Sequence, residues 1–184
     1  MTRYNKPPIY SDKNNDAHEE AVLEFIASLR KEWRHVKSIE TKASFDGFIY
    51  KWYDAGTHSY DRPFAMVEVR KLNCLSTTYE SAMISYTKIQ NWQSLYPILN
   101  IPCWFVVNWK DLIAYANMEN IASYGDIRVS PPSSRRKNPS HDREIVFHYP
   151  VNKFEQLGEK SDGERLYNVK FDEKATNGLE ETKG

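Results

Sequence analysis

The sequence is short of glycine and cysteine and carries no excess charge, and each shortage removes a class of function. Seven glycines in 184 residues build no glycine-rich phosphate loop, and no Gly-x-Ser-x-Gly turn is present to raise a nucleophilic serine. The two cysteines, Cys74 and Cys103, lack metal-ligand spacing and have apolar neighbours, so they read as buried free thiols in a reducing compartment. The five histidines are scattered and offer no zinc-binding pair. Lysine plus arginine and aspartate plus glutamate both total 25. No global basic field therefore draws the chain to nucleic acid, and any such contact has to be local. No apolar run approaches the roughly 20 residues that cross a bilayer. The polar start, which includes Pro7 and Pro8, resembles neither a signal nor a transit peptide, so a cytoplasmic protein is expected.

What is present is a folded composition, with 40% hydrophobic, 27% charged and 14% aromatic residues, enough for one α/β domain. The expected boundaries are a polar lead-in over residues 1–15, a domain over 16–157 and a charged, loosely attached tail over 158–184. Val22, Phe25, Ile26, Leu29 and Trp33 recur at helical spacing, which predicts a helix from Asp16 to Arg34 with Asp16 and Glu19 as a capping box. Lys37 to Tyr53 has the β-branched and aromatic content of one or two strands, and the turn residues from Asp54 to Pro63 suggest a hairpin. Phe64 to Leu72 reads as a central strand. Thr77 to Glu80 forms a second capping box, ahead of a helix that carries Met83, Ile84, Ile89, Trp92 and Leu95 and ends near Pro97. Ile101 to Trp109 is another buried strand, so that strand, helix and strand imply a parallel crossover. Ser130 to Asp142 predicts an exposed basic loop, Glu144 to Val151 a strand, and Asn152 to Leu157 a helical turn.

Chemistry enters with Glu68. An ionised carboxylate inside an apolar strand costs several kcal/mol or more, in order of magnitude, unless it is partnered. Alternation places Arg70 on the Glu68 face and Val67, Val69 and Lys71 on the other. A Glu68–Arg70 ion pair is one explanation. The other brings in Asp46, beside Gly47 in an adjoining strand. Two carboxylates meeting across a hairpin make the oxygen-rich setting that Mg²⁺ favours. A turn aspartate at Asp46-Gly47 explains the same residues without a site.

Ser-Phe-Asp46-Gly-Phe-Ile, then Arg-Pro-Phe-Ala-Met-Val-Glu68-Val-Arg70-Lys71, then Ala-Met-Ile-Ser-Tyr-Thr-Lys88 resembles the PD-(D/E)XK nucleases, and in particular compact phage-type and Holliday-junction-resolvase-like members. The resemblance spans roughly residues 16–157. It implies a restriction-endonuclease-like α/β core with a central mixed sheet flanked by helices. It also implies a metal-dependent DNA endonuclease that uses Mg²⁺ or Mn²⁺ and acts on branched or structured DNA, with a homodimer suited to a two-fold symmetric substrate. Asp46 and Glu68 would bind the metal, with the Val69 carbonyl as a further ligand. Glu19, or Glu20 beside it, would be the supporting helical glutamate, a role set against plain capping. Arg70 stands where the family has lysine. Arginine stays protonated, so it stabilises charge but does not act as a base. Lys71, if a bulge turns it, or Lys88 on the next helix would supply the missing ammonium. Arg128, Arg135, Arg136, Lys137 and Lys71 are candidate phosphate contacts. The alternative is an inactive protein of the same fold that binds nucleic acid or a protein partner.

Overall fold

The computed structural model describes residues 13–38, 44–54, 56, 58–130, 144–161 and 165–168. In chain order the elements are helix α1 (Lys13–Ser28), strands β1 (Trp33–Lys37), β2 (Gly47–Asp54) and β3 (Ser59–Lys71), a 3-10 turn (Ser76–Thr78), strand β4 (Ser81–Ser85), helix α2 (Tyr86–Leu99), strands β5 (Cys103–Asn108) and β6 (Leu112–Asn117), and helix α3 (Met118–Tyr124). Strands β7 (Asp126–Val129) and β8 (Ile145–Pro150), a second 3-10 turn (Val151–Lys153), and strands β9 (Glu155–Ser161) and β10 (Arg165–Asn168) follow.

Among the described residues, seven strands form a mixed sheet in the order β1-β2-β3-β5-β6-β9-β10, and β4-β8-β7 form a smaller one. The β3–β5 pair is parallel and the other neighbours are antiparallel. The parallel pair sits centrally because β5, Cys-Trp-Phe-Val-Val-Asn, is buried along its whole length and needs cover on both faces. Cys103, Phe105, Val107 and Met66 pack with Ile89 and Trp92 of α2, Met118 and Ile121 of α3, and Ile84 and Phe147 of the smaller sheet. On the other face Val67, Val69, Trp104 and Val106 pack with Val22, Leu23 and Ile26 of α1. Burying each of these aliphatic side chains contributes about 1.5–3 kcal/mol. The alternation along β3 therefore directs Glu68 and Arg70 toward the α2 face.

Several boundaries differ from expectation. Helix α1 begins at Lys13, so Asp16 lies inside it rather than capping it, and the helix stops at Ser28. Trp33 instead opens β1, where its ring centroid lies 5.3 Å from that of Phe64 and 5.8 Å from that of Trp104. Tertiary packing here overrides helical spacing. The Thr77 to Glu80 box starts no helix. Ser76 is held by Asp111 through its amide and hydroxyl, both at 2.8 Å, and Ser81–Ser85 pairs with β8. The segment after the second 3-10 turn is β9 rather than a helical turn. With β10, the outermost strand, it carries the sheet past Gly158 to Asn168, and Leu157 of β9 is buried in the core on the α1 side. The basic loop with Arg135, Arg136 and Lys137 lies outside the described residues. Cys103 is buried and Cys74 half-buried, and both are free thiols. No helix among the described residues is long and apolar enough to cross a membrane.

Candidate active site

Asp46 sits immediately before β2 and is fastened to β3 on either side of Glu68. Its amide donates to the Val67 carbonyl at 3.1 Å, and its Oδ2 accepts from the Val69 amide at 2.7 Å. The neighbouring glycine is required by packing rather than by a turn. A Cβ on Gly47 would lie 2.5 Å from Leu23 Cδ1 and 2.8 Å from the Val36 carbonyl oxygen, so only glycine lets β2 run this close to α1 and β1. Gly47 is therefore a strand residue held by packing, while Asp46 lies in the bend just before it.

Glu68 is held from the opposite side by Lys88 in the first turn of α2. Lys88 Nζ donates to Glu68 Oε2 at 2.7 Å and to the Ser44 carbonyl at 3.2 Å. Ser85 caps this helix by accepting from the Thr87 amide at 3.2 Å, which places Lys88 near the helix start, where side chains lean back toward the N-terminus. The ion pair is partly shielded, with Glu68 13% and Lys88 27% exposed. Glu68 thus pairs with Lys88, while the Arg70 guanidinium donates to the Met83 carbonyl at 2.6 Å.

The electrostatics are those of a carboxylate pair short of positive charge. Burial, then the charge of Asp46, pushes Glu68 up to about 8 against the pull of Lys88. Burial also raises Asp46, opposed by the Val69 amide, Lys88 and Lys37. Lys88 is lowered by burial, but Glu68 and Asp46 more than offset this and hold it above its ordinary value. The Cys103 thiol, buried beneath, is pushed up by burial and by Glu68.

Glu19 is the helical carboxylate that faces this cluster. Its Oε2 lies 3.8 Å from Lys37 Nζ, and its charge contributes to raising Glu68. Glu20 turns to β1, where Oε1 meets His35 Nε2 at 2.7 Å. Val69 meets Asp46 through its amide, with its side chain in the α1-side core. Lys71 is exposed and lies on the face opposite Glu68 by alternation. Arg128 is on β7, 3.2 Å from Asp126 Oδ2 and exposed, in the smaller sheet and not at this cluster.

Sequence reasoning missed His18 and Asn108. Asn108, a buried polar residue, ends the otherwise apolar β5, and its Nδ2 is hydrogen-bonded to His18 Nε2 at 3.1 Å. This ties the start of α1, and with it Glu19, to the end of the central strands. The available signal was one amide closing an apolar run.

Among the described residues, no three His, Cys, Asp or Glu side chains form a preformed cage. Two carboxylates that repel each other do fit Mg²⁺, which keeps several waters and takes only one or two protein carboxylates.

A sequence family described as "Phage putative PDDEXK endonuclease" matches residues 5–157. The chain belongs to that family. Its mixed sheet with helices on both faces is the restriction-endonuclease-like α/β arrangement of the PDDEXK nucleases, a group that generally uses divalent metal ions. Two solved structures are similar to this PDDEXK chain. One is the Holliday junction resolvase Hjc of Archaeoglobus fulgidus, with a TM-score of 0.45 and 8% identity, covering 76% of this chain and 93% of that one. The other is a nuclease from a fusselovirus, with a TM-score of 0.46 and 11% identity, covering 80% of this chain and 88% of that one. No curated protein matches the chain.

Proposed function

We propose that this PDDEXK protein is a divalent-cation-dependent DNA endonuclease acting on branched or structured DNA in the cytoplasm, with Asp46, Glu68 and Lys88 as its working groups. The observation that carries this reading is the Lys88–Glu68 pair at 2.7 Å, beside an Asp46 whose carboxylate is locked by the Val69 amide. The ammonium that the family motif places on the strand is here supplied by the helix, so Arg70 at the motif position does not leave the site without one. Lys88 supports this reading over the inactive one, which the Arg70 substitution and the neutral net charge favour.

Asp46 and Glu68 would hold Mg²⁺ or Mn²⁺, with the Val69 carbonyl as a further ligand. When bound, such an ion lowers the pKa of a water and neutralises phosphate charge. The chain's own groups do the remainder. The Val69 amide fixes the rotation of the Asp46 carboxylate, which pre-orients it. Lys88 stays protonated and presents its N–H groups where negative charge develops on the phosphate. Glu19 adds negative charge from α1. Basic side chains, among them Arg128, Lys71, Arg135, Arg136 and Lys137, would grip the DNA backbone. A homodimer would set two sites on a two-fold symmetric junction.

Incubation with end-labelled linear, nicked and four-way DNA in Mg²⁺ or Mn²⁺ tests this. The expected result is cleavage that EDTA abolishes and that falls by about 10²-fold or more in Asp46→Asn, Glu68→Gln and Lys88→Met. Cleavage that survives Asp46→Asn and Glu68→Gln would remove the site, and DNA binding without any cleavage would restore the inactive reading.

A further inference from the structure

Arg70 reaches past the site to the element that delivers Lys88. Its Nη1 donates to the carbonyl of Met83 at 2.6 Å, and Met83 lies on β4, an outer strand of the smaller sheet. An outer strand carries backbone groups that lack ladder partners, and a guanidinium, with five donors on a long stem, is suited to take one. Two residues later Ser85 closes the first turn of α2 through the Thr87 amide. Lys88 follows and returns to Glu68 at 2.7 Å. Glu68 and Arg70 are neighbours on one face of β3, so a single strand holds the β4–α2 junction at two points: Met83 before the cap and Lys88 after it. The Met83 hold thus adds a second polar link between the helix start and β3, beside the Lys88–Glu68 pair and the apolar packing of Ile84 and Ile89 with Met66.

We propose that Arg70 is a positioning residue, which fixes Lys88 against Glu68 by anchoring the junction between β4 and α2. The two functions of a motif lysine are divided here. Lys88 supplies the ammonium, and Arg70 supplies the support that lets an ammonium arrive from a helix. The kinetic part of this inference rests on the nuclease reading, and the structural part does not.

The test combines a double-mutant cycle with competitive acetylation of Lys88 by acetic anhydride, read by peptide mass spectrometry on the metal-free full chain. Arg70→Met is expected to lower kcat about tenfold with KM little changed, the signature of a misplaced group rather than a lost substrate contact. On a Lys88→Met background it is expected to add nothing, since a residue acting through Lys88 has no effect once Lys88 is gone. Lys88 acetylation is expected to rise several-fold in Arg70→Met, and less in Arg70→Lys, which keeps a donor. Should Arg70→Met fail to fold, as shown by circular dichroism, Arg70→Lys carries the same comparison. Losses that multiply in the double variant, or Lys88 acetylation unchanged in a folded Arg70 variant, would overturn the proposal. Wild-type protein that cleaves no DNA would defeat the nuclease reading while the acetylation result still decides the anchoring role.

Discussion

Glu68 is both the most informative residue of the site and a destabilising one. Held at about 8 by burial and by Asp46, against an ordinary value of 4.5, it is easier to protonate folded than unfolded. Its contribution to stability is therefore greatest below about 4.5, declines as pH rises through the window up to about 8, and is lost above it. Glu68→Gln removes that dependence. In metal-free buffer at pH 9 the variant is expected to melt on the order of 5 °C above wild type, and near pH 4 the two should coincide. Equal melting temperatures across this range would show that Glu68 ionises freely in the fold. The residue was legible in the sequence because a charge in an apolar strand demands a partner. Its actual partner was less so. Lys88 and Arg70 were both candidates, and only the fold shows which of them turns to the carboxylate. His18 and Asn108 had no such signature, since their pairing joins positions that the chain separates by most of the domain.

At the scale of elements, periodicity located β2, β3, β5 and β8, missed the other six described strands, and misjudged where α1 ends and α2 begins. Ala82, Ile84, Ile89 and Trp92 are all buried, and a helix accounts for most of that spacing. The first two instead alternate along β4, whose partner β8 lies more than sixty residues away in the chain. Long-range pairing of this kind leaves no local mark, and so the smaller sheet was not foreseen. The strand pair that carries Asp46 was foreseen, but the reason for Gly47 was not. Because a Cβ there meets the Val36 backbone as well as Leu23, rotamer changes in Leu23 relieve only part of the clash. Gly47→Ala is expected to destabilise the protein by about 1–3 kcal/mol, as overpacked sites do, lowering the melting temperature by roughly 2–12 °C. The displacement falls next to Asp46, so cleavage should drop more than the folded fraction does. A variant with unchanged melting would mean that β1 or α1 yields more readily than the packing suggests.

At the scale of the whole molecule, the proposed nuclease activity requires a chain with no net charge to bring a polyanion to two carboxylates. The global field contributes nothing to that encounter, and the site opposes it until a cation intervenes. DNA binding should consequently be weak without divalent ions, with a dissociation constant in the roughly 10⁻⁴–10⁻⁶ M range of non-specific contacts at physiological salt. Mg²⁺ should tighten it by about tenfold, near 1.4 kcal/mol. Lys88→Met, which is expected to bind the ion without cutting, allows this to be measured by fluorescence anisotropy on a labelled four-way junction. Asp46→Asn with Glu68→Gln should behave in the opposite sense. At pH 9, where Glu68 is ionised, removing the repelling charges should make that variant bind more tightly than wild type in EDTA and gain little from Mg²⁺. A double variant that binds no tighter in EDTA and responds to Mg²⁺ as Lys88→Met does would mean that the phosphate backbone does not pass over these two carboxylates.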